Sequence, residues 1–223
     1  MSAPKTWSVP LELFRDMPIV TVVDPRGQSH EFLVDTGASF TVLDKRIAPA
    51  FSPTPYIGED GKPLGGMVET AGAGRADLGN LHVISELVVG DFKLEGEVGV
   101  HLADLSMLER VSGRKVVGIL GFQSLQMPVT IDYPARMLRV HERLPRLSGP
   151  GLPLIDSDSL YHPVIEVEIG GKKVPTLIDT GSGKCMGVPR ELARSVGFES
   201  PPVPTGYSQT LSGVIEDRSA RLR

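Results

Sequence analysis

The sequence predicts an all-β fold built as two lobes, and two observations support that prediction. Glycine (25 residues) and proline (19 residues) are frequent, while aromatic residues make up only 5% of the chain, a composition that suits short strands joined by tight turns. In addition, residues 18–35 and 163–179 repeat one pattern, in which a β-rich run, a turn and a second β-rich run end in Asp. Each lobe is therefore predicted to hold one copy of the same hairpin.

The bulk composition excludes several classes of partner. The chain has 223 residues, of which 40% are hydrophobic and 22% are charged, as is typical of a soluble globular protein. Its net charge is −4 and it has no dense run of Lys or Arg, so no nucleic-acid partner is predicted. No apolar run approaches the ~20 residues of a membrane-spanning helix, so no membrane span is predicted.

Cysteine and histidine show no pattern of a metal or redox site. Cys185 is the only cysteine, so no internal disulfide can form, and it is expected to pack in the core. The histidines have no metal-binding spacing and are interpreted as surface or turn residues. They are His30, His82, His101, His141 and His162. The sequence predicts no metal.

Further strands and two helices are expected around the repeats. The predicted strands lie at 80–89 and 92–100, paired around Gly90-Asp91, at 116–120, and at 129–133 and 137–141, paired over Pro134-Ala135. The predicted helices lie at 102–111, ending at Gly113, and at 189–196, with Pro189 in the first turn.

Each repeat ends in the same tripeptide, Asp35-Thr36-Gly37 in the first and Asp179-Thr180-Gly181 in the second. Two carboxyl groups held close together cannot both ionise easily, so they share one proton. The ionised partner can then take a proton from water while the protonated partner donates one toward a carbonyl oxygen. The glycines leave room for backbone N–H groups to point at the carboxylates, and the threonine hydroxyls can join one loop to the other.

The residues around both tripeptides resemble the active-site loops of the pepsin and retropepsin clan of aspartic peptidases. Leu33 to Ser39 is closest to the retropepsin form, and Leu177 to Gly183 is nearer the pepsin form. Ile119-Leu120-Gly121 resembles the apolar-apolar-Gly strand that, in this clan, threads behind the Asp loop of its own lobe. The Gly-rich residues 65–74 stand where the clan has its flap, a hairpin over bound substrate, but they lack the Tyr that pepsins carry there.

The resemblance implies a set of site residues and an activity. The site residues are the catalytic pair Asp35 and Asp179, the loop-supporting residues Thr36, Gly37, Thr180, Gly181 and Ser182, and the flap or substrate-binding residues Gly65, Gly66, Gly72, Ala73 and Gly74. The implied activity is that of an aspartic endopeptidase on a peptide or protein substrate, and no cofactor is required. The alternative is a peptide-binding or dimerisation domain of this fold with weak or no activity, and a homodimer is left open. Bacterial relatives of this kind are often exported, which implies a periplasmic or envelope location if a signal peptide has been removed.

The chain is predicted to divide into an N-terminal lobe (1–145), a Pro- and Gly-rich linker (146–157) and a partial C-terminal lobe (158–223). The second lobe is expected to be incomplete, because fewer residues follow Asp179 than separate Asp35 from its Ile-Leu-Gly strand. Three explanations are open: a sequence shorter than the gene product, a partner chain that completes the lobe, or a degenerate lobe with weak or absent activity.

Overall fold

The computed structural model describes residues 4–70, 74–125, 127–146, 148–155, 162–210 and 213–221, without the side chains of 67–70, 74–76, 209–210 and 213. These residues form strands β1 (Thr6–Pro10), β2 (Glu12–Phe14), β3 (Met17–Val23), β4 (Ser29–Asp35), β5 (Thr41–Asp44), β6 (Thr54–Pro55), β7 (Gly65–Thr70), β8 (Gly74–Asn80), β9 (His82–Val89), β10 (Phe92–Ala103), β11 (Val116–Gly121), β12 (Val129–Asp132), β13 (Met137–His141), β14 (Val164–Ile169), β15 (Lys172–Leu177), β16 (Val203–Thr210) and β17 (Gly213–Ser219). Their helices are α1 (Ala48–Phe51), α2 (Ser106–Ser112) and α3 (Arg190–Ala193). None of these described helices has the length and apolar composition needed to cross a membrane.

Eight strands of the first half form one sheet that closes on itself. Their order is β2-β3-β4-β11-β5-β10-β9-β6, and β3 also pairs with β9, which closes the sheet into a barrel. Inward-facing side chains such as Phe32, Leu43 and Leu87 are fully buried, so the barrel interior is the hydrophobic core. The all-β fold predicted from the sequence is confirmed.

A three-stranded sheet, in the order β1-β13-β12, packs against the barrel. Val9 of β1 and Leu138 of β13 are buried in the same core cluster as the barrel residues. The hairpin of β12 and β13 is the one expected over Pro134-Ala135, and β9 pairs with β10 around Gly90-Asp91 as expected. Turn residues and alternating apolar residues were therefore sufficient to predict these two hairpins.

Strand β11 lies between β4 and β5 and positions the first Asp-Thr-Gly loop. It runs parallel to β4, with Gly121 opposite Asp35, and antiparallel to β5. All of its residues are buried, which explains its uninterrupted apolar sequence. The strand expected at 116–120 is confirmed, and it lies directly behind the Asp35 loop.

The helix expected at 102–111 begins later, at Ser106. Residues 100–103 instead extend β10 and pair in parallel with β5. That pairing joins residues distant in sequence, so helical spacing alone cannot reveal it. The helix ends as expected, because Gly113 adopts a left-handed φ of 67° and its N–H donates to the carbonyl of Glu109.

The described residues of the second half form two separate hairpins, β14–β15 and β16–β17, and the short helix α3. β14 pairs with β15 across the predicted turn at Gly170-Gly171. Within the described ranges, β15 has no further neighbour that corresponds to β11 beside β4. Ile169 and Val196 are the only described hydrophobic residues of this half that are buried, so it has far less core than the first half.

The expectations for Cys185 and two histidines are wrong. Cys185 is exposed, because it lies in the loop after Asp179, where there is little core to cover it. His101 and His141 are buried rather than on the surface. The burial of His141 is compensated by the hydroxyls of Thr6 and Thr130, which contact its two ring nitrogens at 3.1 and 2.9 Å.

Candidate active site

The two Asp-Thr-Gly loops meet at the ends of β4 and β15. β4 ends at Asp35 itself, whereas β15 ends two residues before Asp179. Phe32 and Val34, which precede the first loop, are fully buried, while Ile178, which precedes the second, is 41% exposed. The barrel core therefore holds the first loop, and the second loop depends on its contacts with the first.

Four hydrogen bonds join the two loops through Thr36 and Thr180. The hydroxyl of Thr36 donates to the carbonyl of Ile178 at 2.5 Å and accepts from the backbone N–H of Thr180 at 3.1 Å. The hydroxyl of Thr180 donates to the carbonyl of Val34 at 2.8 Å and accepts from the backbone N–H of Thr36 at 3.1 Å. Since Thr36 is buried, loss of either hydroxyl would leave backbone groups unpaired inside the protein.

Each Asp carboxylate is held by its own loop and packs against the glycine of the other. The N–H of Gly37 donates to Oδ1 of Asp35 at 2.8 Å, and the N–H of Gly181 donates to Oδ1 of Asp179 at 2.9 Å. A side-chain carbon on Gly37 would lie 2.8 Å from Oδ1 of Asp179 and 3.1 Å from Oδ1 of Asp35. A carbon on Gly181 would lie 2.5 Å from Oδ2 of Asp35. The structure therefore brings the two carboxylates together, and both positions require glycine.

The electrostatic environment of the pair favours one bound proton. Burial, and then the negative charge of Asp179, raises the pKa of Asp35 from 3.8 to about 7. The backbone N–H groups of Gly37 and Ala38 act in the opposite direction but are outweighed. At neutral pH and below, the two groups thus titrate as a unit that carries a proton.

Two contacts beside the pair were missed in the sequence. The hydroxyl of Ser39, four residues after Asp35, lies 2.9 Å from Nε2 of His162, two residues before β14. A side-chain carbon on Gly183 would lie 3.1 Å from the backbone carbonyl of Arg15, in the turn between β2 and β3. Both contacts join residues of different halves, and neither belongs to a motif, so no local pattern indicated them.

Tyr133, in the turn between β12 and β13, also lies near the second loop. Burial, then the charges of Asp16 and Asp179, raises the pKa of its phenol. The sequence had indicated only the last residue of a strand at this position.

The remaining loop-supporting residue, Ser182, acts within its own loop. Its hydroxyl accepts from the backbone N–H of Lys184 at 3.3 Å. The ammonium group of Lys184 in turn pairs with Asp217 of β17. These contacts tie the Asp179 loop to the hairpin of β16 and β17.

The segment predicted as a flap is a β-hairpin of β7 and β8. Gly65 and Gly66 begin β7, and Gly74 begins β8. Gly72 and Ala73 lie outside the described residues. In the described ranges, no three His, Cys, Asp or Glu side chains are grouped so that they could hold a metal ion.

The first half is thus a closed barrel in which an Asp-Thr-Gly loop lies in front of a buried apolar strand. Residues 20–123 match the family model described as aspartyl protease. The matched segment contains Asp35, the β7–β8 hairpin and β11, whereas Asp179 lies beyond it. The family supports a protease-type function.

A solved structure is also similar to the chain. It is the crystal structure of a retropepsin-like aspartic protease from Rickettsia conorii, with 17% sequence identity and a TM-score of 0.39. The similarity covers 63% of this chain and 96% of the Rickettsia chain. No curated protein sequence matches the chain.

Proposed function

We propose that the chain is an aspartic endopeptidase in which Asp35 and Asp179 activate a water molecule between them. The observation that supports this most directly is the packing of each carboxylate against the glycine of the opposite loop. With the reciprocal threonine bonds, this packing fixes the distance and orientation of the two acids. Such fixed geometry is what catalysis without a covalent intermediate requires.

The raised pKa of Asp35 gives the pair its division of roles. Asp35 holds the proton, because burial and the neighbouring charge oppose its ionisation at neutral pH. The carboxylate of Asp179 accepts a proton from the water as the water oxygen attacks the peptide carbonyl carbon, while Asp35 donates its proton to the carbonyl oxygen. The tetrahedral intermediate then collapses: the C–N bond breaks, the proton on Asp179 passes to the leaving nitrogen, and one hydroxyl of the intermediate returns a proton to Asp35, which leaves a carboxylic acid and restores the starting pair.

The substrate class that fits this arrangement is an extended peptide segment. The β7–β8 hairpin begins next to the Asp35 loop, because Leu78 of β8 and Ala38 pack against one apolar cluster. An extended segment beneath a hairpin can pair with it through backbone hydrogen bonds, as added strands do. Specificity then depends on the side chains that alternate along the segment.

The proposal is tested with Asp35→Asn. Asn keeps the oxygen that accepts from the N–H of Gly37, so the loop should stay folded. It cannot share a proton with Asp179, so kcat should fall by about 10³-fold or more in a casein digestion assay between acid and neutral pH. The control is Asp91→Asn, an exposed change in the β9–β10 turn that should leave kcat as in wild type. Equal rates for Asp35→Asn and wild type would exclude this mechanism.

The second candidate function is a peptide-binding domain that does not hydrolyse its ligand. It is favoured by the sparse core of the second half, in which Ile169 and Val196 are the buried hydrophobic residues described. Binding of a statine-type peptide by wild type, with no cleavage at any pH between acid and neutral, would support this function instead. Because one chain brings both acids together, a homodimer is not needed to complete the pair, and gel filtration determines the oligomeric state.

A further inference from the structure

His101 is a buried side chain that the proposed reaction does not use. It lies on β10, opposite Val42 of β5, and is 3% exposed. Its ring meets that of Phe40 edge to face, with the ring centroids 5.4 Å apart. Phe40 follows the Asp35 loop in sequence, so one side of the imidazole supports the end of that loop.

The imidazole also contacts the base of the β7–β8 hairpin. A side-chain carbon on Gly66 would overlap Cε1 of His101 and would lie 3.2 Å from its Nδ1. The same carbon would lie 2.8 Å from the carbonyl oxygen of Gly79, so the two strands and the imidazole converge at this point. The backbone groups of Leu78 and Asn80, in β8, also interact with the ring, and they act to raise its pKa.

The chemistry of His101 is unusual for a residue that only fills space. Its Nδ1 is buried and has no hydrogen-bond partner among the described residues. Burial, and then the neighbouring His82, lowers the pKa of His101, so the ring is neutral at neutral pH. An apolar side chain would fill the same volume without an unpartnered nitrogen, so packing alone does not explain histidine here.

We propose that His101 is a positioning residue that fixes the base of the β7–β8 hairpin relative to the Asp35 loop. The ring contacts both of them, because it meets Phe40 edge to face and lies against Gly66 at the base of the hairpin. The position of the hairpin base sets the gap in which an extended substrate would lie above the acids. This inference rests on the proposed peptidase site, and it assigns no step of bond cleavage to His101.

Two substitutions of His101 and one of Gly66 test the proposal. His101→Ala removes both contacts, whereas His101→Gln keeps a polar amide side chain of similar length. Gly66→Ala leaves His101 in place but forces the ring and the hairpin apart. Its matched control is Gly99→Ala on β10, where the added methyl carbon would lie at an ordinary 3.7 Å from Leu81 and Phe40.

Hydrogen exchange of the backbone amides and the affinity for a statine-type peptide are the readouts. We expect His101→Ala and Gly66→Ala to accelerate exchange in β7 and β8 more than in β9, β10 or β5. Affinity should fall by about 10-fold, and KM for a peptide substrate should rise more than kcat falls, because remote misplacement weakens binding of an extended ligand. His101→Gln should recover most of both losses, and Gly99→Ala should match wild type.

Two results would overturn the proposal. One is equal acceleration of exchange throughout the barrel in His101→Ala with no recovery in His101→Gln, which would make the ring a packing residue only. The other is a folded Gly66→Ala variant with wild-type exchange in β7 and β8 and unchanged affinity. If wild type neither cleaves nor binds peptides, the peptidase proposal fails, and the exchange pattern still decides the role of His101.

Discussion

The Asp35 carboxyl stabilises the protein only while it is protonated. Its pKa is raised from 3.8 to about 7 by burial and by the charge of Asp179, so the folded state binds its proton more tightly than the unfolded state does. Between these two values, the unfolded chain releases the proton first as pH rises. Folding stability from this group therefore decreases from about pH 4 to about pH 7, which is the opposite of an ion-paired carboxyl.

This argument predicts that Asp35→Asn is more stable than wild type at alkaline pH. At pH 8 the gain in unfolding free energy should be on the order of 2–4 kcal/mol, and it should shrink toward zero as pH falls to about 4 and below, where the wild-type carboxyl becomes protonated in both states. Urea unfolding at pH 4, 6 and 8 measures the difference.

Asp132→Asn is a control for which the change in stability at pH 8 should have the opposite sign. A hydrogen bond from Arg139, and then one from the N–H of Ala135, lowers the pKa of Asp132 below its usual value. This carboxylate adds stability above its unfolded pKa and loses it as pH falls, so Asp132→Asn should be less stable than wild type at pH 8. Equal stability of Asp35→Asn and wild type at pH 8 would show that the Asp35 carboxyl is not strained in the folded state.

The repeated tripeptides could be predicted at the scale of residues because both halves carry the same motif. Pairing of the two loops followed from the expectation that two acids act together, and the threonine bonds followed from their short hydroxyls. His101 and the contact between Ser39 and His162 could not be predicted in this way. Each depends on residues that are far apart in sequence and belong to no repeated pattern.

At the scale of elements, β11 is the strand that connects the barrel core to the Asp35 loop, because it is buried in the core and packs directly against the loop. Gly121 lies opposite Asp35 in the parallel pairing with β4. A side-chain carbon on Gly121 would overlap the backbone of Phe40 and would lie 2.9 Å from the N of Thr41. The strand and the loop are therefore in direct backbone contact, with no flexible side chain between them to absorb a change.

We accordingly predict that Gly121→Ala damages both stability and the active site. The methyl group must displace the backbone after the Asp35 loop, so unfolding free energy should fall by about 2–3 kcal/mol and kcat should fall with it. Gly149→Ala is the matched control, because a carbon there meets no atom within 4 Å. Urea unfolding and peptide hydrolysis test both variants, and wild-type kcat in Gly121→Ala would contradict the role given to β11.

Local sequence predicted strands well where a turn sequence marks the hairpin. It predicted them poorly where the strand forms by pairing with residues that are distant in sequence. The hairpin turns at Gly90-Asp91 and Gly170-Gly171 carry their own signals, and both hairpins form. Residues 102 and 103 were predicted as the start of a helix, yet they are strand because β5 lies beside them. The interpretation of β11 succeeded because a short, wholly apolar run bounded by glycine fits a strand buried on both faces.

At the scale of the whole molecule, the two halves differ in how they are stabilised. The barrel has a continuous buried core, whereas the described second half consists of two hairpins and one short helix with little buried apolar surface. Exposed hydrophobic residues of that half include Met186, Val203, Tyr207 and Val214. The division into two lobes with a linker at 146–157 stays a prediction.

This difference predicts two levels of protection from hydrogen exchange. Amides of β14 to β17 should exchange about 100-fold faster than those of β4, β10 and β11, because local opening there exposes little apolar surface and so costs about 3 kcal/mol less. The N–H of Thr180 should be an exception, since it donates to the buried hydroxyl of Thr36. Thr36→Val should remove that protection while Thr36→Ser, which keeps a hydroxyl, preserves it. Uniform protection across both halves would show instead that the second half folds with the barrel as one cooperative unit.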